Sequence, residues 1–490
     1  MIVDVGPSNS ACLSSVEPLL LQAAELLRLG RLDQAKVAFS DCLRLRPNLP
    51  AALEGLANTY LRLGNSRAAG HFFQAALRQD PNRPTALNNY GNLLARDGKN
   101  GEAAALYQKA IALDADYVDC HFNLANLYGR TGCFEQAIPH YRKVVALKPS
   151  LSEAWDNLGN VLNDNGEPEE ALFCLDRVLE LKPGWVQAEW NRSLAFLKLG
   201  RMAEGWQAYE ARLQIAALTP PRAFDAPHWD GRPFLGQTLL ITTEQGLGDA
   251  IQFIRYAPHV KALGGAVVVE CQPSLERLFQ TAAGIDQVVA RGQALPHYHW
   301  HVSVMSLPAT LASSVGEIPG RTPYLWPDRR SDLACKETGP RIGLAWAGNP
   351  IHRHDRLRSC RFADLASLLE VEGIHWVSLQ KNVPQQDAVD LSCCPRLTHL
   401  PGNDLYEAAQ IVQQLDLVIS VDTALAHLAG ALNVPVWILL AKNSDWRWLL
   451  DADRSVWYSS ARLFRQSQPR DWAEVIVRVC EELKRVTSGE

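Results

Sequence analysis

A glycine recurs every 34 residues over the first 200 residues of the chain. The six members of the set are Gly30, Gly64, Gly98, Gly132, Gly166 and Gly200. Since glycine occupies roughly 7% of positions in average proteins, chance does not account for six in one register. A period of this length is typical of a unit of two helices joined by a tight turn, and such units stack into a solenoid. The spacing therefore predicts six stacked helical hairpins over residues 16 to 215.

Three other residue types keep the same register. Small residues follow the glycines where two helices must cross closely, at Ala35, Ala69, Ala103, Ala137 and Ala171. Aromatic rings come four residues later on the same helix face, at Phe39, Phe73, Tyr107 and Tyr141. Prolines, which cannot continue a helix, close units at Pro47, Pro81, Pro149 and Pro183. With these features the first part of the chain resembles the tetratricopeptide-repeat family.

Asparagines also follow the repeat. One row consists of Asn89, Asn123, Asn157 and Asn191, and a second row, three residues further on in each unit, of Asn58, Asn92, Asn126 and Asn160. Residues three apart share a helix face, and an amide both donates and accepts hydrogen bonds. The rows could therefore hold the backbone of an extended peptide, which we favour, or they could join neighbouring repeats. The pattern resembles the asparagine ladder in the repeat arm of the eukaryotic O-GlcNAc transferase, and this resemblance implies a protein or peptide acceptor.

Composition limits the class of protein. The formal net charge of −5 gives no electrostatic basis for a nucleic-acid partner. No apolar run approaches the ~20 residues that span a bilayer, and the first fifteen residues lack the pattern of a cleaved signal. The eleven cysteines include the adjacent pair Cys393 and Cys394 and show no metal spacing. We therefore expect a cytoplasmic protein with reduced thiols and no bound metal or cofactor.

The pattern of residue types changes after the repeats. A proline-rich connector at 216–236 precedes apolar runs that alternate with helical patterns, which is typical of a parallel sheet covered by helices. Predicted strands lie at Thr238 to Thr243, Ala266 to Glu270, Gln287 to Val289, His301 to Met305, Ile342 to Trp346, His375 to Leu379, Leu397 to Leu400, Leu417 to Val421 and Val436 to Leu440. They form two groups, 237–325 and 341–485, separated by a polar hinge at 326–340. The pattern predicts two Rossmann-like lobes facing a cleft, the arrangement called GT-B.

The first candidate site is the loop Gln245-Gly246-Leu247-Gly248-Asp249, between a predicted strand and a predicted helix. Ligands of open α/β sheets bind at the carboxyl ends of strands, and glycines let the backbone turn tightly and approach a substrate. Asp249 would lie at the start of the helix and face the cleft. It is equally consistent with a catalytic carboxylate and with a helix-capping residue.

The second candidate site begins with Asp422 and Thr423, directly after the strand that ends at Val421. A strand that ends here and opens a helix presents free backbone N–H groups to the cleft, which would suit a diphosphate. His427 would lie about one and a half turns into that helix. Its alternative role is that of a half-buried histidine with its hydrogen bonds satisfied.

The third candidate site is the loop after Trp346. It contains Gly348, Asn349, Arg353, Arg356 and Arg358, and it could neutralise a departing nucleoside diphosphate or be a solvated basic loop.

Arg447 lies in the segment Asp445-Trp446-Arg447-Trp448. It is a candidate phosphate or substrate contact, or a cation stacked between two indoles.

The Gly-Asp loop, Asp422-Thr423-x-x-x-His427 and the following Pro-Val-Trp-Ile-Leu-Leu resemble the heptosyltransferase-type glycosyltransferases of family nine over residues 237 to 465. This resemblance implies an inverting, metal-independent enzyme in which Asp249 is the catalytic base. It also implies that Asp422 and Thr423 hold the nucleotide diphosphate, with His427 at the family histidine. Ala424 departs from the glycine usual in the family. A lipopolysaccharide or other glycan acceptor, or a non-catalytic scaffold, is the alternative to a protein acceptor.

Overall fold

The computed structural model describes residues 10–311, 318, 322–328, 339–352, 355–392, 394, 396–400 and 402–488. The chain divides into two compact units. The first contains the chain up to Asn165 together with Glu180–Lys182, and the second contains Gly166–Leu179 and the chain from Pro183 onward. No helix among these residues combines the length and the apolar character needed to cross a bilayer.

The first unit consists of helical hairpins. Its helices, in order, are α1 (Ser10–Arg28), α2 (Leu32–Leu45), α3 (Pro50–Arg62), α4 (Ser66–Gln79), α5 (Pro84–Arg96), α6 (Asn100–Leu113), α7 (Val118–Arg130), α8 (Phe134–Leu147) and α9 (Ser152–Asn165). The repeat glycines between helices have φ between 74° and 86°, a conformation that glycine adopts without a steric penalty. The repeat alanines are fully buried, and the repeat aromatic residues are at most 2% exposed. The predicted helical solenoid is confirmed.

Two histidines on neighbouring helices of the first unit contact each other. His121 Nδ1 of α7 lies 2.8 Å from His140 Nδ1 of α8, and His121 Nε2 lies 3.2 Å from the carbonyl oxygen of Ala115. Burial lowers the pKa of both rings, and Lys143 lowers the pKa of His121 further. The folded state therefore favours the neutral form of the pair.

We expect the hairpin of α7 and α8 to lose stability in acid. An unfolded histidine titrates near pH 6.5, and both folded pKa values lie below that, so the unfolded chain binds protons first as the pH falls. Stability is complete above about pH 6.5 and declines below it. Amide hydrogen exchange on peptides from residues 118–147 should show protection factors that decrease between pH 7 and pH 5.

The matched control is His71, an exposed histidine of α4 in the same unit. His140→Phe should flatten the pH dependence, whereas His71→Phe should leave it as in the wild type. An unchanged pH dependence in His140→Phe would show that the histidine pair does not cause the acid sensitivity.

The second unit begins with helices and continues into two parallel sheets. Its helices before the sheets are α10 (Pro168–Leu181, of which Glu180 and Leu181 belong to the first unit), α11 (Val186–Lys198) and α12 (Met202–Tyr209). The first lobe contains β1 (Thr238–Thr242), α13 (Leu247–Phe253), α14 (Ala257–Ala262), β2 (Ala266–Cys271), α15 (Glu276–Phe279), β3 (Gln287–Ala290), β4 (Trp300–Ser303) and α16 (Leu307–Leu311). The second lobe contains β5 (Arg341–Ala345), α17 (Asp355–Arg358), α18 (Ala366–Leu369), β6 (His375–Ser378), α19 (Ala388–Ser392), β7 (Leu397–His399), α20 (Leu405–Val412), β8 (Leu417–Val421), α21 (Ala424–Ala431), β9 (Val436–Leu440), β10 (Ala461–Arg465) and α22 (Trp472–Ser488).

The first-lobe sheet has the order β3-β2-β1-β4, and its described strand pairs are parallel. One face packs into the main core, whereas the other is covered by side chains of irregular segments. Phe224 of the connector packs with Leu295 and Tyr298 against buried Leu240, Val268 and Val289. The connector also adds a backbone hydrogen bond of 2.8 Å from Trp229 N to His301 O. It therefore forms part of the first lobe's covering layer.

The second-lobe sheet has the order β10-β9-β8-β5-β6-β7 and is likewise parallel. The predicted strands are present, and with them the α/β class is confirmed. The strand predicted at His301 to Met305 is shorter, because Val304–Ser306 turns into a 3-10 helix. The edge strand β10 was missed, because its sequence, ARLFR, carries two arginines and follows an irregular segment.

Candidate active site

Two helix N-termini from different lobes lie against each other. Gly248 of α13 packs so closely on α21 that a Cβ atom on it would lie 2.8 Å from His427 Cδ2 and 3.6 Å from Ala424 Cα. Real Cβ atoms essentially never approach another atom to 2.8 Å, so a side chain at Gly248 would push α13 and α21 apart. The predicted site residue Gly248 therefore permits the contact between the two predicted loops.

Asp249 acts as a helix-capping residue and also forms an ion pair with the other lobe. Its Oδ2 accepts a hydrogen bond of 2.7 Å from the backbone N–H of Gly246, so it caps the start of α13. Its Oδ1 forms an ion pair with Arg447 Nη2 of the other lobe. With a side chain 18% exposed, Asp249 is held from two sides and still reaches solvent.

Arg447 has an acceptor for each of its guanidinium nitrogens. Besides Asp249, Nη1 contacts Asp445 Oδ1 at 2.8 Å and Nε donates to Gln252 Oε1 at 2.7 Å. The guanidinium carbon lies 4.1 Å from the centroid of Trp446. Burial alone would lower the pKa of Arg447, but Asp445 and Asp249 raise it above its ordinary value. In this structure Arg447 joins the two lobes and positions Asp249.

Arg447 is not stacked between two indoles, the alternative role that its sequence predicts, because only Trp446 lies against it. Trp446 lies against the guanidinium, whereas Trp448 stacks on the ring of His427 at 5.4 Å between centroids. The two tryptophans therefore support two different site residues.

His427 is buried and hydrogen-bonded. Its Nδ1 lies 2.9 Å from the hydroxyl oxygen of Tyr458, and its Nε2 lies 4.0 Å from Asp422 Oδ1. Burial and the nearby Arg447 lower the pKa of His427 to about 3. The ring is therefore neutral at physiological pH in this structure. This agrees with the alternative of a satisfied buried histidine, whose partner Tyr458 no sequence spacing indicated.

Asp422 and Thr423 lie where β8 gives way to α21. Thr423 is the N-cap residue, and its hydroxyl lies 3.2 Å from the hydroxyl of Ser420 rather than capping the helix. The first backbone N–H groups of any helix have no intrahelical acceptor, so the start of α21 can bind an anion. Burial and then Asp445 raise the pKa of Asp422 to about 6.

One arginine of the basic loop after Trp346, Arg358, interacts electrostatically with Asp422 and His427. The side chain of Arg358 is 21% exposed, and its Nε lies 3.4 Å from Asp355 Oδ1. Its positive charge lowers the pKa of both Asp422 and His427. A Cβ on Gly348 would lie 2.6 Å from Arg358 Nη2, so glycine makes room for the guanidinium.

Other predicted residues of that loop lie at the surface or outside the described residues. Arg356 and Asn349 are exposed, and Asn349 Oδ1 accepts a hydrogen bond of 3.1 Å from Ile351 N, which shapes the turn. Arg353 lies outside the residues that the structure describes.

Asparagines of the rows form hydrogen bonds to asparagines of the neighbouring repeat, and one of these partners, Asn88, lies outside both rows. The bonds run from Asn89 Nδ2 to Asn58 Oδ1 at 3.0 Å, from Asn123 Nδ2 to Asn88 Oδ1 at 2.9 Å and from Asn157 Nδ2 to Asn126 Oδ1 at 2.9 Å. The repeat tyrosines add bonds, from Tyr107 to Asn92 and from Tyr141 to Asn126, both at 2.6 Å. The amides thus join successive repeats, as the alternative interpretation expected. Each such bond uses only part of an amide's capacity.

Two further members of the rows lie on α9 and α11. Asn160 is half-buried on α9. Asn191 is buried on α11, in the second unit, and its Oδ1 accepts from Gln187 Nε2 at 3.2 Å.

Comparison with known proteins finds two kinds of similarity. Tetratricopeptide-repeat family models match residues 26–96, 91–132, 118–151 and 152–184. The model described as glycosyltransferase family 9 (heptosyltransferase) matches residues 360–462. The chain therefore carries tetratricopeptide repeats and a family 9 heptosyltransferase-like domain. This match contains Asp422, Thr423, His427 and Arg447, whereas Asp249 and Arg358 lie outside it.

One curated relative and several solved structures are similar. Protein FlbA of Caulobacter vibrioides is 29% identical over 336 residues, covering 60% of this chain and 54% of that protein. The chain thus spans about half the length of this relative. The tetratricopeptide protein YrrB is 21% identical with a TM-score of 0.32, over 35% of this chain and 89% of that one. PilF of Pseudomonas aeruginosa is 19% identical with a TM-score of 0.38, over 44% of this chain and 96% of that one.

Proposed function

We propose that the chain is an inverting, metal-independent glycosyltransferase that moves a sugar from a nucleoside-diphosphate sugar to a protein or peptide acceptor. The observation that carries the proposal is Asp249. A first-lobe carboxylate at a helix N-terminus is bonded to Arg447, which lies within the segment that matches family 9. The two lobes bring Asp249, our candidate base, close to the N-terminus of α21, our candidate anion site, and a single displacement at a sugar needs both groups.

In the proposed reaction the acceptor nucleophile attacks the anomeric carbon and Asp249 takes its proton. The new bond forms as the bond from the anomeric carbon to the diphosphate oxygen breaks, and the electron pair leaves with the diphosphate. We propose that the first backbone N–H groups of α21 and the cation of Arg358 neutralise that negative charge. His427, being neutral, would shape the pocket through Gly248 and Tyr458 rather than supply charge.

The repeats supply the argument for a protein acceptor. A tetratricopeptide solenoid presents a long surface, and amide rows on it can bind a peptide backbone with the hydrogen-bonding capacity that the inter-repeat bonds leave. The family description, heptosyltransferase, favours a glycan acceptor instead. Transfer of a labelled sugar to peptides rather than to lipid-linked glycans, in parallel incubations, would distinguish these acceptors.

We expect saturable binding of one nucleoside diphosphate, and of its sugar, in calorimetric and thermal-shift titrations without added metal. A ligand at 100 times its Kd stabilises a protein by about 2.7 kcal/mol, so even modest affinity raises the Tm. Arg358→Gln should weaken that binding roughly 10- to 150-fold, because a charge-assisted contact contributes about 1.5–3 kcal/mol.

The matched control is Arg361, an arginine three positions along whose side chain is 67% exposed and pairs with Asp364 at 3.0 Å. Arg361→Gln should bind as the wild type does. Absence of binding across the whole panel would favour a non-catalytic scaffold, and equal losses in the two variants would remove Arg358 from the site.

A further inference from the structure

The turn after the last repeat helix contains a completely buried arginine. Arg212 lies in the 3-10 helix Glu210–Gln214, directly after α12, and its side chain is 0% exposed. Its Nε and Nη2 donate to Glu244 Oε1 at 3.0 and 2.6 Å. The same guanidinium contacts Glu210 Oε1 at 2.6 Å and Ser306 Oγ at 2.7 Å. Arg212, which follows the last repeat helix, is thus bound to Glu244 in the loop after β1.

Glu244 is adjacent to the loop that leads to Asp249. The next residue, Gln245, has φ of 58°, which is an uncommon conformation for a residue with a side chain. Its Oε1 accepts a hydrogen bond of 3.2 Å from the hydroxyl of Tyr209, the last residue of α12. Two side chains of the repeat therefore hold two consecutive residues of the loop, one of them in an unfavourable backbone conformation.

The sixth repeat consists of α11, α12 and the 3-10 helix Glu210–Gln214. It contacts elements of both lobes. The ring of Trp206 lies 5.5 Å from Phe253 of α13 and 5.2 Å from Trp446, centroid to centroid. Lys198, at the end of α11, is 8% exposed. Burial raises the pKa of Asp445, but Arg447 and, to a smaller degree, Lys198 bring it below its ordinary value. The sixth repeat thus contacts α13, which carries Asp249, and the segment that carries Arg447.

We infer that the sixth repeat, through Arg212 and Tyr209, is a positioning element of the transferase centre and not only the end of the repeat arm. The inference rests on the proposed function. Arg212 fixes Glu244 and Tyr209 fixes Gln245, so that α13 begins at one place and Asp249 points at the acceptor. Displacing a catalytic group by about 1 Å can cost on the order of 100-fold in rate. Neither Arg212 nor Tyr209 touches the reacting atoms in this proposal.

The test compares Arg212→Met and Tyr209→Phe in the full chain, using hydrolysis of the nucleotide sugar and binding of the nucleoside diphosphate. We expect Arg212→Met to lower kcat by roughly 10- to 100-fold, and Tyr209→Phe by a smaller factor. The nucleotide Kd and the number of binding sites per chain should stay as in the wild type. A merely structural role would lower kcat and the binding stoichiometry by the same factor, since both count folded molecules.

The matched control is an arginine–glutamate pair of the first unit in which the arginine is 27% exposed. Arg83 Nη2 lies 2.7 Å from Glu54 Oε2, and the Glu54 side chain is 9% exposed. Arg83→Met should lower stability without changing kcat per folded chain. If Arg212→Met does not fold, Tyr209→Phe, which removes a single oxygen atom, carries the test.

The outcomes separate the inference from the function on which it rests. A wild-type chain without nucleotide binding or turnover overturns the proposed function. If the wild-type chain turns over and both Arg212→Met and Tyr209→Phe keep the wild-type kcat, only the positioning role is overturned. A wild-type kcat in Arg83→Met beside a reduced kcat in the other two supports it.

Discussion

Asp249→Asn should abolish sugar transfer while nucleotide binding survives. An amide cannot take the acceptor's proton, and general-base catalysis contributes typically 10²- to 10⁴-fold. The diphosphate would still meet the N-terminus of α21 and Arg358, neither of which the substitution touches. Rapid-quench measurement of single turnovers, beside calorimetry with the nucleoside diphosphate, separates the two effects.

The chain provides a close control for this substitution. Asp364 also accepts a hydrogen bond from the backbone N–H three residues earlier, Arg361 N at 2.8 Å, and it also pairs with an arginine side chain, Arg361 Nη2 at 3.0 Å. Asp364→Asn removes the same kinds of contact from the second lobe, but its loss of stability should be smaller, because Arg361 is 67% exposed and Arg447 is 9% exposed. Transfer at wild-type rate by Asp249→Asn would exclude Asp249 as the base. Equal loss in the two variants would assign the effect to capping.

Arg447→Met should destabilise the second unit by up to about 3 kcal/mol, because removing the arginine leaves two carboxylates uncompensated, although Asp249 and Asp445 are 18% and 37% exposed. Asp445 and Asp249 would both lose their cation, and Gln252 would lose its donor. The free energy of unfolding can be followed in urea by tryptophan fluorescence. Every tryptophan except Trp155 lies in the second unit, so the signal reports mainly on that unit.

A double variant tests the stated cause. Asp445→Asn in the Arg447→Met background removes one of the stranded charges and should recover part of the lost stability. A loss below about 1 kcal/mol in Arg447→Met, the usual limit for exposed pairs, would show that the contact contributes little. No recovery in the double variant would assign the loss to packing of the arginine stem against Trp446.

Local patterns in the sequence predicted most of the fold. Gly64 and Ala69 report a turn and a helix crossing within one unit, and the unit is repeated, so the solenoid follows from nearby residues alone. The strands before Asp249 and Asp422 are short apolar runs that need no distant partner to be recognised. The edge strand β10 has no such run, and its pairing with β9 depends on packing that the sequence does not display.

The candidate site was predictable in its motifs and not in its connections. Asp249, Asp422 and His427 stand in recognisable loops. Their partners lie far along the chain, as Arg447 does from Asp249 and Tyr458 does from His427, and no period or spacing joins them. Arg212 gave no signal, because an arginine after a helix is ordinarily solvated, and only the placement of Glu244 and Ser306 makes it a buried contact.

The way in which the connector covers the first-lobe sheet limits where the chain can be divided to build chimeric proteins. Phe224 lies on the apolar face of Leu240 and Val268, so the segment after the repeats cannot be exchanged as a neutral tether. A graft that joins a foreign repeat array at residue 237 would expose that face to water and invite aggregation. A workable junction lies further upstream, before the last hairpin. The part of the repeat array that can be exchanged independently of the first lobe therefore ends before the last hairpin.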